Sequence, residues 1–374
     1  MSRTVVVYRS HLTDPFLNLA AEDYLLRSRP RRERALLLYT NDPAVVIGRH
    51  QNPWVECNPV YLAQNGIVLV RRQSGGGTVY HDHGNLNFSI LSAREEYDQE
   101  WNFAVVIEAL RLLGIHVERS GRNDLVCDGY KVSGSAFKHL RERSFHHGTL
   151  LVAADLARLR AALQPSPVEI SSRGIASVRS RVANLVDLAS QYRGRQLVSA
   201  VSDALAAAFS RRRRALRCDA IDAAFLAERP EIGRRAAEYR SWDWLYGKTP
   251  RFEQVVRGVN GRSVGLLRVE HGRIAAVEPN GGGANRPVSA SGGDSNAVGS
   301  TEGDRGEVPA AVQLGAPYRP IGMPDGTAFD GDSRLARVRD NMELLDTASD
   351  HTSAVRERIE SELENRPRRS ANGD

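Results

Sequence analysis

A glycine-rich loop is the strongest candidate for chemistry in this sequence. Residues 71–77 read Arg-Arg-Gln-Ser-Gly-Gly-Gly, and the apolar runs at 66–70 and 86–91 are typical of strands. Three consecutive glycines cost backbone entropy, so they are expected where the backbone takes an unusual conformation or lies close to a ligand. The N–H groups of such a loop, together with Arg71 or Arg72, can hold a phosphate. A strained turn beside two solvated arginines is the alternative.

The spacing of the glycines excludes two common phosphate-binding motifs. The Walker pattern G-x-x-x-x-G-K-[ST] does not occur, because Gly247-Lys248-Thr249 has no glycine at the required distance upstream. No G-x-G-x-x-G opens a helix after the run at 66–70 either. The loop is therefore neither a P-loop nor a Rossmann fingerprint.

A lysine beside a tight turn is the second candidate. Asp128-Gly129 predicts a two-residue hairpin turn of type I′, which places Lys131 at the start of the returning strand. Small residues follow at 133–135, so the lysine could reach across a sheet toward a carboxyl or phosphate group. An edge-strand lysine in solvent is the alternative, because lysines are mostly exposed.

Adjacent histidines form a third candidate. His146 and His147 lie in a predicted strand, so their side chains point to opposite faces and one of them can face a pocket. No Cys, Asp or Glu lies beside them at ligand spacing, and we expect no metal site. His50 and Trp54 follow a predicted strand end, where they either line a pocket or cap the core.

Hydrophobic periodicity predicts mixed helices and strands around these candidates. The predicted strands lie at 4–9, 35–39, 44–47 and 115–119, and the predicted helices at 16–26, 97–113, 155–163, 197–209 and 220–237. Residues 253–278 alternate apolar and polar as a strand–turn–strand, whereas 280–311 are rich in Gly, Ser and Asn and predict disorder.

Composition limits the class of protein. The chain of 374 residues, with a net charge of +6, is long enough for two domains. Its three cysteines are scattered and indicate a reducing compartment. No apolar run reaches the ~18 residues of a membrane helix. The basic charge favours an acidic partner, and no nucleic-acid motif accompanies the arginines at 211–214.

Taken whole, residues 71–85 (RRQSGGGTVYHDHGN) resemble the signature of lipoate–protein ligases and mitochondrial lipoyltransferases. Further segments resemble the same family: GRHQNPWVECN at 48–58, GRNDLVCDGYKVSGSA at 121–136, FHHGTLL at 145–151, RGIASVRSRVANL at 173–185 and WDWLYGKTPRF at 242–252. The resemblance covers about residues 4–278 and little of the last quarter. The insertion at 280–311 departs from the family.

The resemblance implies an α+β fold. We expect a biotinyl/lipoyl-protein ligase-like catalytic domain of mixed β-sheet with flanking helices at 1–215. A small accessory C-terminal domain is expected at 216–340, interrupted at 280–311 by the disordered insertion, and residues 341–374 form a charged tail.

The resemblance also implies the site. Lys131 is expected to be the catalytic residue that contacts the acyl carbonyl, with Arg122 beside the same mixed anhydride. The segment at 173–185 closes the acyl pocket in that family. The implied substrate- and adenylate-binding residues are Arg72, Ser74, Gly75, Gly76, Gly77, Thr78, Val79, Tyr80, His81, Arg122, Asp124, Lys131, His147, Gly148, Thr149, Ala176 and Ser177.

The implied activity is transfer of a lipoyl group from lipoyl-AMP to a lysine of lipoyl domains. The implied acceptors are the E2 subunits of 2-oxoacid dehydrogenases and the glycine cleavage H-protein. If the protein also activates the acid, its substrates would be lipoate and ATP with Mg²⁺. The shared motifs do not decide between activation and transfer alone. They also do not decide between a lipoyl and an octanoyl substrate. We expect the protein to be a monomer. We expect it in the mitochondrial matrix, because the Tyr-Gly-Lys-Thr-Pro spelling looks closer to animal mitochondrial enzymes, or in the cytoplasm if the source is bacterial. The N-terminus has neither a signal peptide nor a clear presequence.

Two groups of alternatives are disfavoured. Octanoyltransferases carry R-G-G-x-x-T-[YF]-H-x-P-G and a cysteine, and biotin ligases carry G-R-G-R; this chain has His81-Asp82-His83-Gly84 and neither pattern. A non-catalytic basic module that binds acidic protein or nucleic acid would leave the glycine loop and Lys131 without a role. Binding of an adenylate separates this module from an enzyme.

Overall fold

The computed structural model describes residues 4–121, 123–165, 169–189, 195–211, 216–257, 262–279 and 317–318, which belong to one compact unit, Met1–Asp325. Within these ranges, no helix is long and apolar enough to cross a membrane. The predicted insertion at 280–311 and the tail at 341–374 lie outside the described residues, so the domain boundaries stay a prediction.

Fifteen strands are present in the described ranges. They are β1 (Thr4–Ser10), β2 (Glu33–Tyr39), β3 (Ala44–Ile47), β4 (Val68–Arg71), β5 (Val79–His81), β6 (Asn85–Ala93), β7 (Glu118–Ser120), β8 (Asp124–Cys127), β9 (Tyr130–His139), β10 (Arg143–Leu151), β11 (Ile170–Ser172), β12 (Leu216–Ile221), β13 (Phe252–Arg257), β14 (Ser263–Glu270) and β15 (Arg273–Pro279).

Ten α-helices accompany the strands in the same ranges. They are α1 (Pro15–Ser28), α2 (Pro53–Glu56), α3 (Pro59–Gln64), α4 (Gln99–Leu112), α5 (Leu156–Ala162), α6 (Leu185–Leu188), α7 (Arg195–Ser210), α8 (Ala223–Ala227), α9 (Pro230–Arg240) and α10 (Trp242–Leu245). Short polar side chains begin the longer ones: Asp14 accepts hydrogen bonds from the first turn of α1, and Asp98 does the same for α4.

The largest sheet is mixed and has eight strands in the order β12-β1-β2-β6-β10-β9-β8-β7. Strand β1 pairs in parallel with β2 and β12, whereas β2, β6, β10 and β9 pair antiparallel. Helices α4 and α7 pack on one face of this sheet and α1 on the other. The predicted α+β fold of a mixed sheet with flanking helices is therefore confirmed.

Strand β6 shows how the sequence divides the two faces of the sheet. Its apolar residues Leu86, Phe88 and Ile90 enter the core beneath α4 and α7. The alternating residues Asn85, Asn87 and Ser89 are buried on the opposite face, because side chains alternate along a strand. A row of buried polar groups on one face of a central strand needs polar partners or a ligand.

Two smaller sheets complete the fold. Strands β4, β3 and β5 form a three-stranded sheet, and the glycine-rich loop at 72–78 connects β4 to β5, as the sequence predicts. Strands β11, β13, β14 and β15 form a four-stranded sheet. Tyr318 returns to this sheet, where its hydroxyl donates to Gln254 Oε1 at 2.5 Å and its ring contacts Trp54 and Phe252.

The helical prediction for residues 220–237 is confirmed only in part. Strand β12 extends to Ile221 in the large sheet, and the chain then forms α8 and α9, which are separated at residues 228–229. Pro230 explains the break, since a proline fits the first turn of a new helix but not a helix interior. The predicted strand–turn–strand at 253–278 is a three-stranded meander instead, with a tight turn at His271-Gly272.

The two adjacent histidines of β10 face opposite sides, as the sequence predicts. His146 lies in the apolar core, where its ring packs against Phe88, Phe103 and Phe137 and neither ring nitrogen has a hydrogen-bond partner among the described residues. Burial lowers the pKa of His146 from 6.5 to about 3. The folded protein therefore excludes a proton that the unfolded chain binds.

Replacing His146 with phenylalanine should make the fold less sensitive to acid. Below pH 6.5 the unfolded imidazole gains a proton that the folded state refuses, so the free energy of unfolding falls by up to about 1.4 kcal/mol per pH unit as the pH drops. Urea denaturation at pH 7 and pH 5 measures this slope. His146→Phe should reduce the mean slope between these two pH values by about 1 kcal/mol per pH unit, because the unfolded imidazole is only partly protonated near pH 7. An unchanged slope would show that His146 titrates normally in the folded protein.

Candidate active site

The glycine loop is closed by one buried arginine. Arg72 donates four hydrogen bonds: from Nε to Ser74 Oγ (3.0 Å), from Nη1 to the Val46 carbonyl (3.0 Å), and from Nη2 to the carbonyls of Gly75 (2.6 Å) and Gly77 (2.7 Å). Burial lowers its pKa to about 10, so it stays charged at neutral pH. A guanidinium has five N–H groups, so Arg72 has one left for a ligand.

Gly76 gives the loop its sharp turn. Its φ of +88° lies in the left-handed region, and a Cβ there would approach Arg72 Nη2 to 3.0 Å. Gly75 differs, since it has no positive φ and no atom lies within 4 Å of the position of its Cβ. The middle glycine is therefore required by the backbone.

A second buried chain of hydrogen bonds connects the loop to the sheet. Ser74 Oγ lies 2.8 Å from His147 Nε2, and His147 Nδ1 donates to Glu22 Oε1 of α1 at 2.9 Å. These are the distances of a Ser-His-Glu catalytic triad. Ser74 is only 1% exposed and lines neither of the two cavities at the site, so the chain fixes the position of the loop and supplies no nucleophile.

His81 presents one edge of its ring without a partner. Asn41 Nδ2 donates to His81 Nδ1 at 2.9 Å, and Asn41 Oδ1 in turn accepts from Asn18 Nδ2 at 2.9 Å. This chain places the imidazole proton on Nε2, which is buried and has no hydrogen-bond partner among the described residues. Burial, with the nearby Arg72 and His147, lowers the pKa of His81 to about 3, so its ring is a neutral donor.

Lys131 reaches the site as the predicted turn requires. Asp128 (φ 49°) and Gly129 (φ 77°) both take positive φ, which confirms the type I′ turn. The Lys131 side chain lies against Gly134, where a Cβ would approach its Cε to 3.2 Å, and its Nζ forms an ion pair with Asp124 Oδ1 at 3.0 Å. The lysine therefore lies along the sheet, and the edge-strand alternative in solvent is wrong.

The segment at 173–182 covers the loop from the other side. Ser177 Oγ accepts from the Thr78 N–H at 2.8 Å and donates to the buried Glu56 carboxylate, whose Oε1 also accepts the Ser177 N–H at 3.2 Å. Gln51 Nε2 donates to the Ile175 carbonyl at 3.1 Å. The segment is held by residues of the family-like 48–58 stretch.

Two cavities meet at Lys131. The first cavity, of about 530 Å³, lies over two rows of neighbouring residues in the large sheet. Asn87 pairs with Tyr39 and Thr149 in one row, and His147 pairs with Ser89 and Ala136 in the other. Leu19 and Val46 supply apolar walls. The second cavity, of about 890 Å³, extends toward α5 and shares Lys131, Thr78, Thr149 and Ser177 with the first.

Most of the predicted site residues lie together. The first cavity is lined by Arg72, Gly76, Gly77, Thr78, Val79, His81, Asp124, Lys131, His147, Gly148, Thr149, Ala176 and Ser177, and Tyr80 lines the second. Ser74 and Gly75 line neither cavity. Arg122 lies outside the described residues.

Sequence reasoning missed four residues that shape the site: Glu22, Tyr39, Gln51 and Glu56. Gln51 and Glu56 stand inside the family-like stretch 48–58, which was a usable signal. No sequence pattern marks Glu22 or Tyr39 as a site residue, because only the tertiary fold brings them to the loop. Among the described residues, no group of three His, Cys, Asp or Glu is placed to hold a metal ion.

The fold and site define the catalytic domain of a lipoate-ligase-like enzyme, in which a glycine loop and a lysine face one split cavity. The model of the lipoyl protein ligase A/B catalytic domain matches residues 14–210. The chain is 44% identical over 252 residues to the lipoate-protein ligase A of Psychrobacter cryohalolentis, covering 66% of this chain and 73% of that protein.

Solved structures give the same result. Lipoate-bound LipL1 of P. falciparum superimposes with a TM-score of 0.56 at 26% identity, covering 74% of this chain and 83% of that one. An ATP-bound lipoate-protein ligase A has a TM-score of 0.52 at 26% identity, covering 65% and 98%. The protein therefore belongs to the lipoyl protein ligase A/B family and is an enzyme of the lipoate-protein ligase kind.

Alanine at Gly76 should strain the loop, whereas alanine at Gly75 should not. A non-glycine residue with positive φ loses roughly 1–2 kcal/mol, and the Gly76 methyl group would also press on Arg72. Urea denaturation of both variants measures the difference, with Gly75→Ala as the matched control. Equal stabilities would mean that the loop relaxes without the left-handed residue.

Proposed function

We propose that the protein transfers a lipoyl group from lipoyl-AMP to a lysine of an acceptor lipoyl domain. The observation that carries the proposal is the meeting of two cavities at Lys131 beside the glycine loop. An acyl-adenylate has an apolar chain and a nucleotide joined by a mixed anhydride. Two cavities that join at one cation match that shape.

The first cavity suits the acyl chain. Its apolar walls, Leu19 and Val46, and the half-buried Val79 can cover hydrocarbon, which is the main source of affinity for such a ligand. The His81 Nε2–H, which has no partner in the described protein, can donate to a carboxyl or carbonyl oxygen. An unpaired buried donor is costly, so a ligand oxygen there would add affinity.

The glycine loop and Lys131 suit the phosphoanhydride. Backbone N–H groups of the loop can hold a phosphate, and the Lys131 ammonium stabilises negative charge on the acyl carbonyl oxygen as it develops. Arg72 uses four N–H groups on the loop and on Val46, so it keeps the loop in shape and has one donor left. The second cavity then takes the nucleotide.

The transfer step needs no nucleophile from this protein. The acceptor lysine amine attacks the acyl carbonyl carbon, a C–N bond forms, the anhydride C–O bond breaks, and AMP leaves with the bonding electrons while the amine proton passes to solvent. Asp124, paired with Lys131 at 3.0 Å, fixes the ammonium group beside this carbon. Cys57 is buried with its pKa raised by burial, so it is a poor nucleophile.

The relatives support the substrates. Solved structures at 26% identity include P. falciparum LipL1 with lipoate and a lipoate-protein ligase A with ATP. An archaeal bipartite ligase from Thermoplasma acidophilum, at 25% identity and a TM-score of 0.54, was studied with its E2 lipoyl domain. We propose that the acceptors of this protein are E2 lipoyl domains and the glycine cleavage H-protein. We also propose that it activates lipoate with ATP and Mg²⁺. A matrix or bacterial cytoplasmic location and a monomeric state stay predictions.

Mass spectrometry of an apo lipoyl domain tests the proposal. One reaction contains the protein, lipoate, ATP and Mg²⁺, and a second contains preformed lipoyl-AMP. We expect a lipoyl mass gain in both; a gain in the second alone would restrict the enzyme to transfer. Lys131→Ala should slow transfer from lipoyl-AMP by on the order of 10²-fold or more.

Lys248→Ala is the matched control, because Lys248 is exposed and lines neither cavity. This variant should transfer the lipoyl group at the normal rate. No mass gain in either reaction would contradict the proposed activity and favour a binding module. Equal rates for Lys131→Ala and Lys248→Ala would remove the catalytic role from Lys131.

A further inference from the structure

Strand β6 places a polar face beneath the first cavity. Asn85, Asn87 and Ser89 alternate with the apolar residues of the strand, and each is at most 2% exposed. Asn85 Oδ1 and Ser89 Oγ have no hydrogen-bond partner among the described residues. Asn87 lines the cavity. Because buried polar groups are normally paired, this face carries more polar atoms than the described protein itself uses.

Hydrogen bonds fix the orientation of the Asn87 amide. Its Nδ2 donates to the Tyr39 carbonyl at 3.3 Å, and its Oδ1 accepts from Asn85 Nδ2 at 3.0 Å. A carbonyl oxygen can only accept, so the amide nitrogen must lie on the Tyr39 side. That nitrogen carries two hydrogens, and the second has no partner in the part of the chain that the structure describes. Asn87 therefore has one N–H available for a ligand in the first cavity.

Strand pairing gives the distance of Asn87 from the reacting end of the site. The Lys131 side chain lies against Gly134 of β9, whose N–H donates to Thr149 Oγ1 of β10 at 3.4 Å. Thr149 pairs directly with Asn87 of β6, so both side chains are on the same face of the sheet. Neighbouring strands are about 4.8 Å apart, which places Asn87 about 10 Å across the sheet from the strand beneath the Lys131 ammonium.

The length of a lipoyl group matches this distance. With the carbonyl carbon at Lys131, five C–C bonds of about 1.5 Å in a zigzag chain place the first sulfur-bearing carbon about 6 Å away, and the second lies about 9 Å away. The dithiolane ring then reaches Asn87, whereas the methylene carbons lie over Thr149. Thioether-like sulfur is a weak hydrogen-bond acceptor, so it can accept the remaining Asn87 N–H.

We propose that Asn87 is a specificity-determining residue, which selects acyl groups with sulfur at the distal end over plain alkyl groups of the same length. The inference rests on the proposed function and adds which acyl group the first cavity prefers. An octanoyl group has the same eight-carbon chain but no acceptor, so it leaves the Asn87 N–H buried and unpaired. A site with a buried donor discriminates against an analogue that lacks the acceptor more strongly than an apolar wall does.

A competition between two acyl-adenylates tests the role of Asn87. Equal concentrations of preformed lipoyl-AMP and octanoyl-AMP are mixed with the protein and an apo lipoyl domain, and mass spectrometry measures both products early in the reaction. Their ratio is the ratio of the two kcat/KM values, and it does not depend on how much of the protein is folded. Asn87→Leu replaces the amide with an apolar group of similar size.

Thr149→Val is the matched control, because it removes a hydroxyl group from the same cavity wall one strand nearer to Lys131. We expect the wild type to favour the lipoyl group, and Asn87→Leu to lower the lipoyl-to-octanoyl ratio by about fivefold or more. Thr149→Val should keep the wild-type ratio even if both rates fall, since it contacts the part of the chain that the two acyl groups share.

Four results would overturn the inference. An unchanged ratio in Asn87→Leu would show that the sulfur atoms lie elsewhere, and a wild type that favours the octanoyl group would show that Asn87 does not select for sulfur. An equal fall of the ratio in Asn87→Leu and Thr149→Val would assign the selectivity to the general polarity of the cavity. Transfer of neither group by the wild type would contradict the proposed function and the inference with it, whereas the first three results contradict the inference alone.

Discussion

Two neighbouring guanidinium groups, buried at the end of β4, are the constraint on which the site depends. Arg71 donates to the carbonyls of Arg49 (2.9 Å) and Gln51 (2.8 Å), to the Leu245 carbonyl (2.8 Å) and to Thr249 Oγ1 (2.8 Å). Arg72, on the opposite side of the strand, donates to the glycine loop. Burial lowers both pKa values to about 10, so both groups stay charged, and a buried charge is tolerable only with such hydrogen bonds.

The two arginines have different roles: Arg71 connects distant segments of the fold, and Arg72 shapes the glycine loop. Arg71 joins the 48–51 stretch, which carries Gln51, to α10 and Thr249 and so to the second half of the chain. Arg72 gives the loop a fixed shape, and the hydrogen bonds from Ser74 to His147 and from His147 to Glu22 hold the loop against the large sheet. Hydrogen bonds within the protein therefore fix the loop beside the first cavity. Preorganised donors of this kind favour the transition state, because they do not have to be reoriented during the reaction.

Local patterns in the sequence predicted most of the elements, and the family resemblance implied most of the residues that line the two cavities. The Asp128-Gly129 pair specifies its turn by backbone preference alone, and alternation places His146 and His147 on opposite faces. Contacts between distant segments could not be predicted, such as Glu22 with His147, 125 residues apart, or Glu56 with Ser177, 121 apart. The helical pattern of residues 220–237 also gave no sign of the end of β12 at Ile221 or of the break before Pro230.

The central claim is that Arg72 shapes the loop before any substrate binds. Amide hydrogen exchange of the peptide that contains residues 73–78, measured on the ligand-free Arg72→Lys variant, tests it most directly, because lysine keeps the charge but cannot reach Ser74 and the carbonyls of Gly75 and Gly77 together. The account predicts faster exchange in this peptide and unchanged exchange in the core strand β6. Unchanged exchange in the loop would mean that the glycines take their shape without Arg72, and its guanidinium would then be free to act as a phosphate ligand.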